Sequence, residues 1–284
     1  MKKVTIKSQA KINFGLNVIS KREDGYHNLE TIFYPISLSD IMIFERSDNF
    51  YFETDSEELN ATIDNNLISR AVRALEQAAH KKMNIIIHLQ KHIPIGAGLG
   101  GGSSNAATTL LALNELLHLN ISNEKIREIG LTLGSDVPFF LKPKPSYAEG
   151  RGELLHRIHF EIEKPILIVN PMIHISSRWA YSKITPKASE FNLKSLDNNK
   201  ISNFSELKGK VINDFEEAVF LHHPEIGELH GKLYELGAEF VLLSGSGSSV
   251  FAIFPDFRAA HFASLQLPEN YFKHIESFDK EEFL

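Results

Sequence analysis

A cluster of glycines supplies the first residues whose types and spacing could do chemistry. Five of the seven residues from Gly96 to Gly102 are glycine, and Ser103 and Ser104 follow them directly. Small residues let backbone N–H groups approach a phosphate, and the N-terminus of a following helix adds partial positive charge. Close packing alone could also explain a glycine loop, but so many glycines before a helix exceed what a packing turn needs. The stretch therefore predicts a phosphate-binding loop.

Two common phosphate-binding motifs do not fit this loop. Gly96, Gly98 and Gly101 match the G-x-G-x-x-G spacing of dinucleotide-binding folds. Such folds place an acidic residue at a strand tip about 20 residues further on, whereas Glu124 falls at the start of a predicted helix. The Walker A motif requires Gly-Lys-Ser/Thr, and no lysine lies within the glycine run.

A second loop of small residues, GSGSS, occupies residues 245–249 between two apolar runs. By itself it is equally well explained as the connection between two strands of a hairpin. Together with the first loop, it predicts a nucleoside triphosphate held between two domains.

One carboxylate and one ammonium would complete the groups that phosphoryl transfer requires. Asp136 follows Gly134 and Ser135 and precedes the apolar run VPFFL, which would desolvate its carboxylate. Lys11 lies between two strand-like runs and has apolar residues on either side. Local sequence leaves other interpretations open. Asp136 could be a turn aspartate, and Lys11 could be an ordinary edge-strand lysine.

An aromatic ring and an imidazole follow the hairpin turn predicted at Asp24-Gly25. Tyr26 could stack on a planar ligand, and His27 could hydrogen-bond to the ligand's edge, as in sites that hold single bases. Half-buried strand residues are the alternative interpretation of this pair. His27 has no second histidine at metal-ligand spacing, so a histidine metal site is not expected and no metal ligand is assigned.

Short strands and helices must position these groups. Strands are predicted where β-branched and aromatic residues mix, in the runs VTIKSQ, INFGLNVI, ETIFYPIS and IMIFER and over residues 85–89. Apolar spacing predicts helices from Asn65 to about His80, from a serine N-cap at Ser103 or Ser104 to Leu117, and from Asn123 to Leu133.

The second half of the chain has the element order β-α-β-β-α-β of a ferredoxin-like sandwich. The order is carried by PILIVN, PEIGELHGKLYEL ending at Gly237, EFVLLS, SVFAIF, a helix over 257–265 and YFKHIESF. Residues 171–222 interrupt it, and we expect a loop and short helices there that lie against the first domain. We therefore predict an α+β protein with an N-terminal mixed α+β domain, residues 1–155, and a ferredoxin-like domain, residues 156–284.

Composition excludes several function classes. The 284 residues include 30 Lys and Arg against 36 Asp and Glu, a net charge of −6, and 43% are hydrophobic, which is enough for a sizeable core. This charge balance argues against a sequence-independent grip on nucleic acid. The absence of cysteine excludes disulfides, thiolate metal sites and cysteine nucleophiles. With neither a long apolar run nor an apolar signal core, we expect a cytoplasmic protein with no membrane partner and leave its oligomeric state open.

Four segments resemble, in the same order, those of a known kinase superfamily. AKINFGLNV with KREDGYHNLET, PIGAGLGGGSSNAA, LGSDVPFFL and LLSGSGSSVFAIF are similar to segments of galactokinase, homoserine kinase, mevalonate kinase and phosphomevalonate kinase. The resemblance covers nearly the whole chain. Within the superfamily, Tyr26-His27 resembles the branch that serves the non-mevalonate isoprenoid route, whose substrate carries a cytidine diphosphate group.

The resemblance also implies roles for individual residues. Lys11 and Asp136 would form the catalytic pair. The cytosine would be held by Tyr26, His27 and Phe33 with Tyr181 as an opposing ring, and Asn13 and Lys91 would complete the substrate site. The nucleotide would be bound by Asn66, Pro94, Ile95, Gly96, Ala97, Gly98, Leu99, Gly100, Gly101, Gly102, Ser103, Ser104, Asn105, Gly245 and Gly247.

The expected reaction is phosphorylation of the 2-hydroxyl of this cytidylyl substrate by ATP, with Mg²⁺ bridging the ATP phosphates. Asp136 would accept or orient the hydroxyl proton, and Lys11 would keep Asp136 ionised. A homoserine or mevalonate kinase is one rival, against which Tyr26-His27 argues. A non-catalytic nucleotide sensor is another, but such a protein would be expected to have lost Lys11 or Asp136.

Overall fold

A computed structural model describes residues 3–60 and 62–276, which form two compact units. Among the described residues, unit 1 comprises 3–10, 36–60, 62–93 and 100–143, and unit 2 comprises 11–35, 94–99 and 144–276. The chain thus enters each unit more than once. The predicted boundary near residue 155 stays a prediction.

The strands are β1 (Val4–Lys21), β2 (His27–Arg46), β3 (Tyr51–Thr54), β4 (Ile85–Gln90), β5 (Ser146–Glu149), β6 (Leu154–Arg157), β7 (Ile166–Asn170), β8 (Phe240–Leu243), β9 (Val250–Ile253) and β10 (Phe272–Glu276). The α-helices are α1 (Glu57–Asn60), α2 (Leu67–Ala79), α3 (Gly101–Leu116), α4 (Asn123–Leu133), α5 (Val137–Phe140), α6 (Ser177–Ser182), α7 (Phe215–His222), α8 (Pro224–Glu235) and α9 (Phe257–Leu265). Short 3₁₀ helices cover Ile63–Asn65, Leu193–Leu196 and Phe204–Leu207.

Unit 1 contains a small mixed sheet and a group of helices that pack on one another. The second half of β2 pairs antiparallel with β4, and β3 pairs parallel with β4. α2 packs on α3 because its apolar residues recur on one face, where Ile68, Ala71 and Leu75 are fully buried. In the part of the chain that the structure describes, no helix has both the length and the apolar character needed to cross a membrane.

Unit 2 contains the predicted ferredoxin-like sandwich. Its antiparallel sheet has the order β10-β7-β9-β8, and α8 and α9 pack on it in the order β7-α8-β8-β9-α9-β10 along the chain. The insertion within residues 171–222 holds α6, two 3₁₀ helices and α7, as the loop-and-short-helix prediction requires. The last two residues of the predicted strand YFKHIESF, 277 and 278, lie outside the described residues.

β1 and β2 are longer than predicted, because each continues through two apolar runs that the sequence predicts to be separate strands. Ser8 and Lys11 break the apolar pattern of β1, yet both are buried inside the strand instead of marking a turn. The real turn lies at the predicted Asp24-Gly25, where Gly25 has a φ of +84° and Arg22 N donates to Tyr26 O at 2.8 Å.

Candidate active site

Lys11 lies inside β1, in unit 2, and is only 3% exposed. Its ammonium donates hydrogen bonds to Gly98 O at 2.8 Å and to Asn13 Oδ1, and its backbone N–H donates to Leu99 O at 3.0 Å. The buried Phe33 ring lies beside the ammonium, with 5.4 Å between Nζ and the ring centroid. An edge-strand lysine would extend into water, whereas burial and two neutral acceptors fix the direction of this charge.

A buried polar network surrounds Lys11. Asn13 Nδ2 donates to Thr31 Oγ1 at 2.9 Å, and the Thr31 hydroxyl donates to Gly15 O at 2.5 Å. The backbone N–H of Asn13 donates to Ser244 Oγ at 3.2 Å. Sequence reasoning missed Thr31 and Ser244, although a polar residue inside an apolar strand run is a signal that could have found both.

The two glycine-rich loops touch backbone to backbone within unit 2, through residues 94–99 and 244–249. A Cβ atom at Gly98 would lie 1.9 Å from Ser244 O, and one at Gly247 would lie 2.2 Å from Gly98 N. Gly98 also has a φ of +79°, in the left-handed region that favours glycine. Ser244 Oγ donates to Gly98 O at 3.1 Å. The glycines are therefore required for this close approach, and the loops predicted to act together are in contact.

Other loop residues differ in exposure. Ala97 and Leu99 are buried, Pro94 and Ile95 are half-buried, and Gly96 is exposed. A Cβ atom at Gly96 would lie 2.7 Å from His174 Nδ1, so a side chain at this position would displace the imidazole. In the second loop, Gly245 has a φ of +61°.

The end of the first loop belongs to unit 1, where it starts α3. The predicted serine N-cap is wrong, because the N-cap is Gly100, with a φ of +74° and no side-chain cap. The first amides of a helix have no partner within the helix, so the N–H groups of Gly101 and Gly102 are donors suited to phosphate oxygens.

Ser104 and Asn105 are buried inside the first turn of α3 and do not cap it. Ser8 Oγ lies 2.8 Å from Ser104 Oγ and 2.9 Å from Asn105 Oδ1. These contacts tie the start of α3 to β1 within unit 1 and explain why neither side chain turns back to cap the helix.

Asp136 is half-buried and lies directly before α5, whose four residues are all buried. The run that follows Asp136 is buried as predicted, and the predicted desolvation of the carboxylate itself stays a prediction. A Cβ atom at Gly134 would lie 3.7 Å from Ser103 Oγ, so the turn that carries Asp136 adjoins the start of α3 within unit 1. The pairing of Asp136 with Lys11 stays a prediction.

Aromatic rings surround the segment after the first hairpin turn. Tyr26 is 52% exposed, and the guanidinium of Arg151 lies 4.7 Å from its ring centroid. The rings of His27 and Tyr181 are stacked, with centroids 5.0 Å apart and 22° between planes. Tyr181 also meets Phe215 edge-on at 4.9 Å. The structure thus brings Tyr181 to His27, and it adds Arg151, which no sequence pattern indicated.

Burial lowers the pKa of His27 below its usual value, and the charge of Lys21 lowers it further. The imidazole is therefore predominantly neutral at pH 7. A neutral imidazole carries one donor and one acceptor nitrogen, so it can read the edge of a base that presents both kinds of group.

Lys91 and Asn66 make structural contacts within unit 1. The Lys91 ammonium donates to both carboxylate oxygens of Asp40, at 3.0 and 2.8 Å, and to Ile93 O. Burial lowers the pKa of Lys91, and the Asp40 carboxylate opposes that shift. Asn66 Oδ1 accepts from Ile68 N at 2.9 Å and caps α2. Their contacts with substrate and nucleotide stay predictions. Within residues 3–60 and 62–276, no three His, Asp or Glu side chains cluster so as to hold a metal ion.

Two models of one protein family match the chain. The model of the GHMP kinases N terminal domain matches residues 66–143, and the model of the GHMP kinases C terminal region matches residues 192–273. The first range contains the start of α3 and Asp136, and the second contains the loop 244–249.

Curated relatives match most of the chain and carry the name 4-diphosphocytidyl-2-C-methyl-D-erythritol kinase. The protein of Pelodictyon phaeoclathratiforme is 41% identical over 97% of this chain and 97% of its own length. That of Chlorobium chlorochromatii is 42% identical over 95% and 94%. That of Bacteroides thetaiotaomicron is 41% identical over 86% and 90%.

Solved structures agree with the sequence comparison. A 4-(cytidine 5'-diphospho)-2C-methyl-D-erythritol kinase is 31% identical, with a TM-score of 0.80 over 97% of this chain and 100% of its own. The Methanococcus jannaschii mevalonate kinase is 14% identical, with a TM-score of 0.73 over 98% and 99%, and shares the fold alone. The chain therefore belongs to the GHMP kinases and, within them, to the 4-diphosphocytidyl-2-C-methyl-D-erythritol kinases.

Proposed function

We propose that this GHMP kinase transfers the γ-phosphoryl group of ATP to the 2-hydroxyl of 4-diphosphocytidyl-2-C-methyl-D-erythritol, in the non-mevalonate route to isopentenyl diphosphate. The observation that carries the proposal is the 41% identity, over 97% of both chains, with a kinase named for that substrate. Mevalonate and homoserine kinases of known structure are 14% and 16% identical and support the fold only.

In the proposed mechanism, Asp136 accepts or orients the proton of the attacking hydroxyl, and the positive charge of Lys11 keeps that carboxylate ionised. Support comes from the position of Asp136 directly before a buried run and from two acceptors that hold the Lys11 ammonium. A protein that only sensed nucleotides would not need either group.

The phosphates of ATP would be bound by backbone amides of the glycine loops and by the N-terminus of α3. Mg²⁺ would neutralise charge on the transferring phosphate, and it requires only one or two carboxylates besides phosphate and water oxygens. Ser103, in the first turn of α3, offers a hydroxyl oxygen of the kind that Mg²⁺ prefers.

The cytosine would stack on the exposed Tyr26 ring, and the neutral His27 imidazole would hydrogen-bond to its edge. Support comes from the aromatic surroundings of His27 and from its lowered pKa. A cytoplasmic location, and the absence of nucleic-acid and membrane partners, stay predictions.

A coupled ATPase assay tests the proposal. With Mg²⁺ and ATP, the protein should phosphorylate the cytidylyl substrate, while mevalonate and homoserine should give no turnover above the rate without acceptor. Turnover of mevalonate or homoserine in place of the cytidylyl substrate would contradict the proposed substrate. ATP binding without transfer to any acceptor would favour the nucleotide sensor.

A further inference from the structure

Asn213, just before α7, holds the second glycine loop at its start. It is 2% exposed, and its Nδ2 donates to both Leu243 O and Gly245 O at 2.8 Å. Its Oδ1 accepts from Phe215 N at 3.0 Å. The side chain therefore uses two donors and one acceptor together, which a primary amide supplies and a carboxylate or hydroxyl does not.

Asn213 is itself fixed to β1. Its neighbours pair with Leu16, since Leu16 N donates to Ile212 O at 2.8 Å and Asp214 N donates to Leu16 O at 2.9 Å. The amide is thus a rigid connection between the strand that carries Lys11 and the loop that follows β8.

The segment held by Asn213 contacts two groups that accept hydrogen bonds from Lys11. Ser244 Oγ donates to Gly98 O at 3.1 Å, and Gly98 O also accepts from the Lys11 ammonium at 2.8 Å. A Cβ atom at Gly245 would lie 3.1 Å from Asn13 Oδ1, the second acceptor of that ammonium. A shift of Ser244 and Gly245 would therefore move the acceptors that direct the Lys11 charge.

We propose that Asn213 is a positioning residue for phosphoryl transfer, because its amide fixes Ser244 and Gly245 and, through them, the two acceptors that hold Lys11. The inference rests on the proposed function, in which the Lys11 ammonium acts on Asp136. Asn213 lies 202 positions from Lys11 in a segment with no glycine loop or reactive motif, so the sequence pattern did not indicate it.

The deciding experiment is a double-mutant cycle of Asn213→Asp and Lys11→Ala, measured by single-turnover phosphorylation of the cytidylyl substrate. Asp has nearly the shape of Asn and keeps the acceptor for Phe215 N, but it loses both donors. With Lys11 present, Asn213→Asp should slow transfer about 10- to 100-fold, as expected when a reacting group is misplaced by about 1 Å. In the Lys11→Ala background, it should slow transfer less than threefold, because interacting residues are non-additive.

Equal fold-changes in the two backgrounds would assign Asn213 a general structural role and overturn the proposal. Asn114→Asp is the matched control, since Asn114 makes the same kind of paired contact, Nδ2 to Ile121 O at 2.9 Å and Oδ1 from Ile121 N at 3.0 Å, in unit 1. Its transfer rate should stay within threefold of the parent. If Asn213→Asp does not fold, Ser244→Ala replaces it in the cycle. Additive effects of Ser244→Ala and Lys11→Ala on the transfer rate would then overturn the proposal.

Hydrogen exchange separates this inference from the proposed function, because it needs no substrate. Asn213→Asp should speed amide exchange in both 243–249 and 94–99, whereas Asn114→Asp should leave both segments unchanged. Unchanged exchange in 94–99 would overturn the inference whatever the substrate proves to be. A parent protein that fails to phosphorylate the cytidylyl substrate would contradict only the proposed function.

Discussion

The Lys11 ammonium is a charge whose direction is set before any ligand binds. Two neutral acceptors hold it in a strand interior, where the local dielectric is low and electrostatic interactions are stronger than in water. Asp136, in contrast, lies on a turn before a buried helix. In the proposed reaction, the lysine supplies a fixed field and the aspartate exchanges the proton.

Asp136→Asn tests the proposed role of Asp136 in exchanging the proton. The amide has nearly the same shape but cannot take up a proton, so kcat should fall by about 10² to 10⁴, while the dissociation constant for ATP should stay within threefold. Asp64→Asn is the control, since the Asp64 side chain in unit 1 is 96% exposed and should not affect turnover. Single-turnover phosphorylation within threefold of the parent would remove Asp136 from the role of base.

Single residues were predictable from the sequence where their chemistry is unusual for their surroundings. Lys11, Asp136 and the glycines stand out in this way. Asn213 does not, because its polar atoms gain meaning only from Leu243 and Gly245, which lie far along the chain. The serine N-cap failed for the same reason, since the contact with Ser8 that occupies Ser104 is tertiary.

Among the elements, the two glycine loops depend on the absence of side chains. Gly98→Ala should lower the free energy of unfolding by about 1–3 kcal/mol for the left-handed backbone alone, with further loss because its Cβ would meet Ser244 O. It should also reduce turnover, because Gly98 O holds Lys11. Denaturant unfolding and kcat measure the two effects.

Gly231→Ala in α8 is the matched control, with the opposite expected sign. Gly231 is an exposed helical glycine with no atom within 4 Å of an added Cβ. Alanine there should raise the free energy of unfolding by about 0.5–1 kcal/mol and leave kcat unchanged. Equal effects of the two substitutions would contradict the close approach of the loops.

Helices and the ferredoxin-like order were predictable because apolar spacing and turn residues act locally. α4 and α9 have their predicted bounds, and the element order of the sheet in unit 2 is confirmed. The lengths of β1 and β2 were not predictable, because buried polar residues such as Lys11 resemble turn residues in a single sequence. The short strands β5 and β6 were missed altogether.

At the scale of the whole molecule, the carboxyl group of Glu216 makes the free energy of unfolding depend on pH. Glu216 Oε1 accepts from Leu243 N at 2.8 Å and lies 3.8 Å from His230 Nε2, and the side chain is 19% exposed. Burial raises the pKa of Glu216 to about 7, although the hydrogen bond from Leu243 opposes that shift. Burial also lowers the pKa of His230.

The sign of the effect follows from proton binding. Between pH 4.5 and about 7, the unfolded chain has released the Glu216 proton while the folded protein keeps it, so rising pH favours unfolding. Relative to Glu216→Gln, the parent should lose up to about 1.4 kcal/mol of stability per pH unit across this window, and the difference should level off above it. Glu217→Gln, at an exposed neighbour on α7, should show no such slope. A pH-independent difference between parent and Glu216→Gln would contradict the raised pKa.

The substrate assignment for the whole enzyme depends on whether the protein distinguishes cytosine from other bases. The comparison of kcat/KM for the cytidine substrate with kcat/KM for its uridine analogue measures this most directly. Uracil replaces the exocyclic amino donor of cytosine with a carbonyl and reverses N3 from acceptor to donor, which leaves the groups facing that edge unpaired. The parent should therefore prefer the cytidine substrate by a factor of up to about 10⁴, and His27→Ala should narrow the difference. Tyr26→Ala should weaken both analogues alike, because stacking tolerates either base. Equal kcat/KM values for the two substrates in the parent would contradict the cytidylyl assignment.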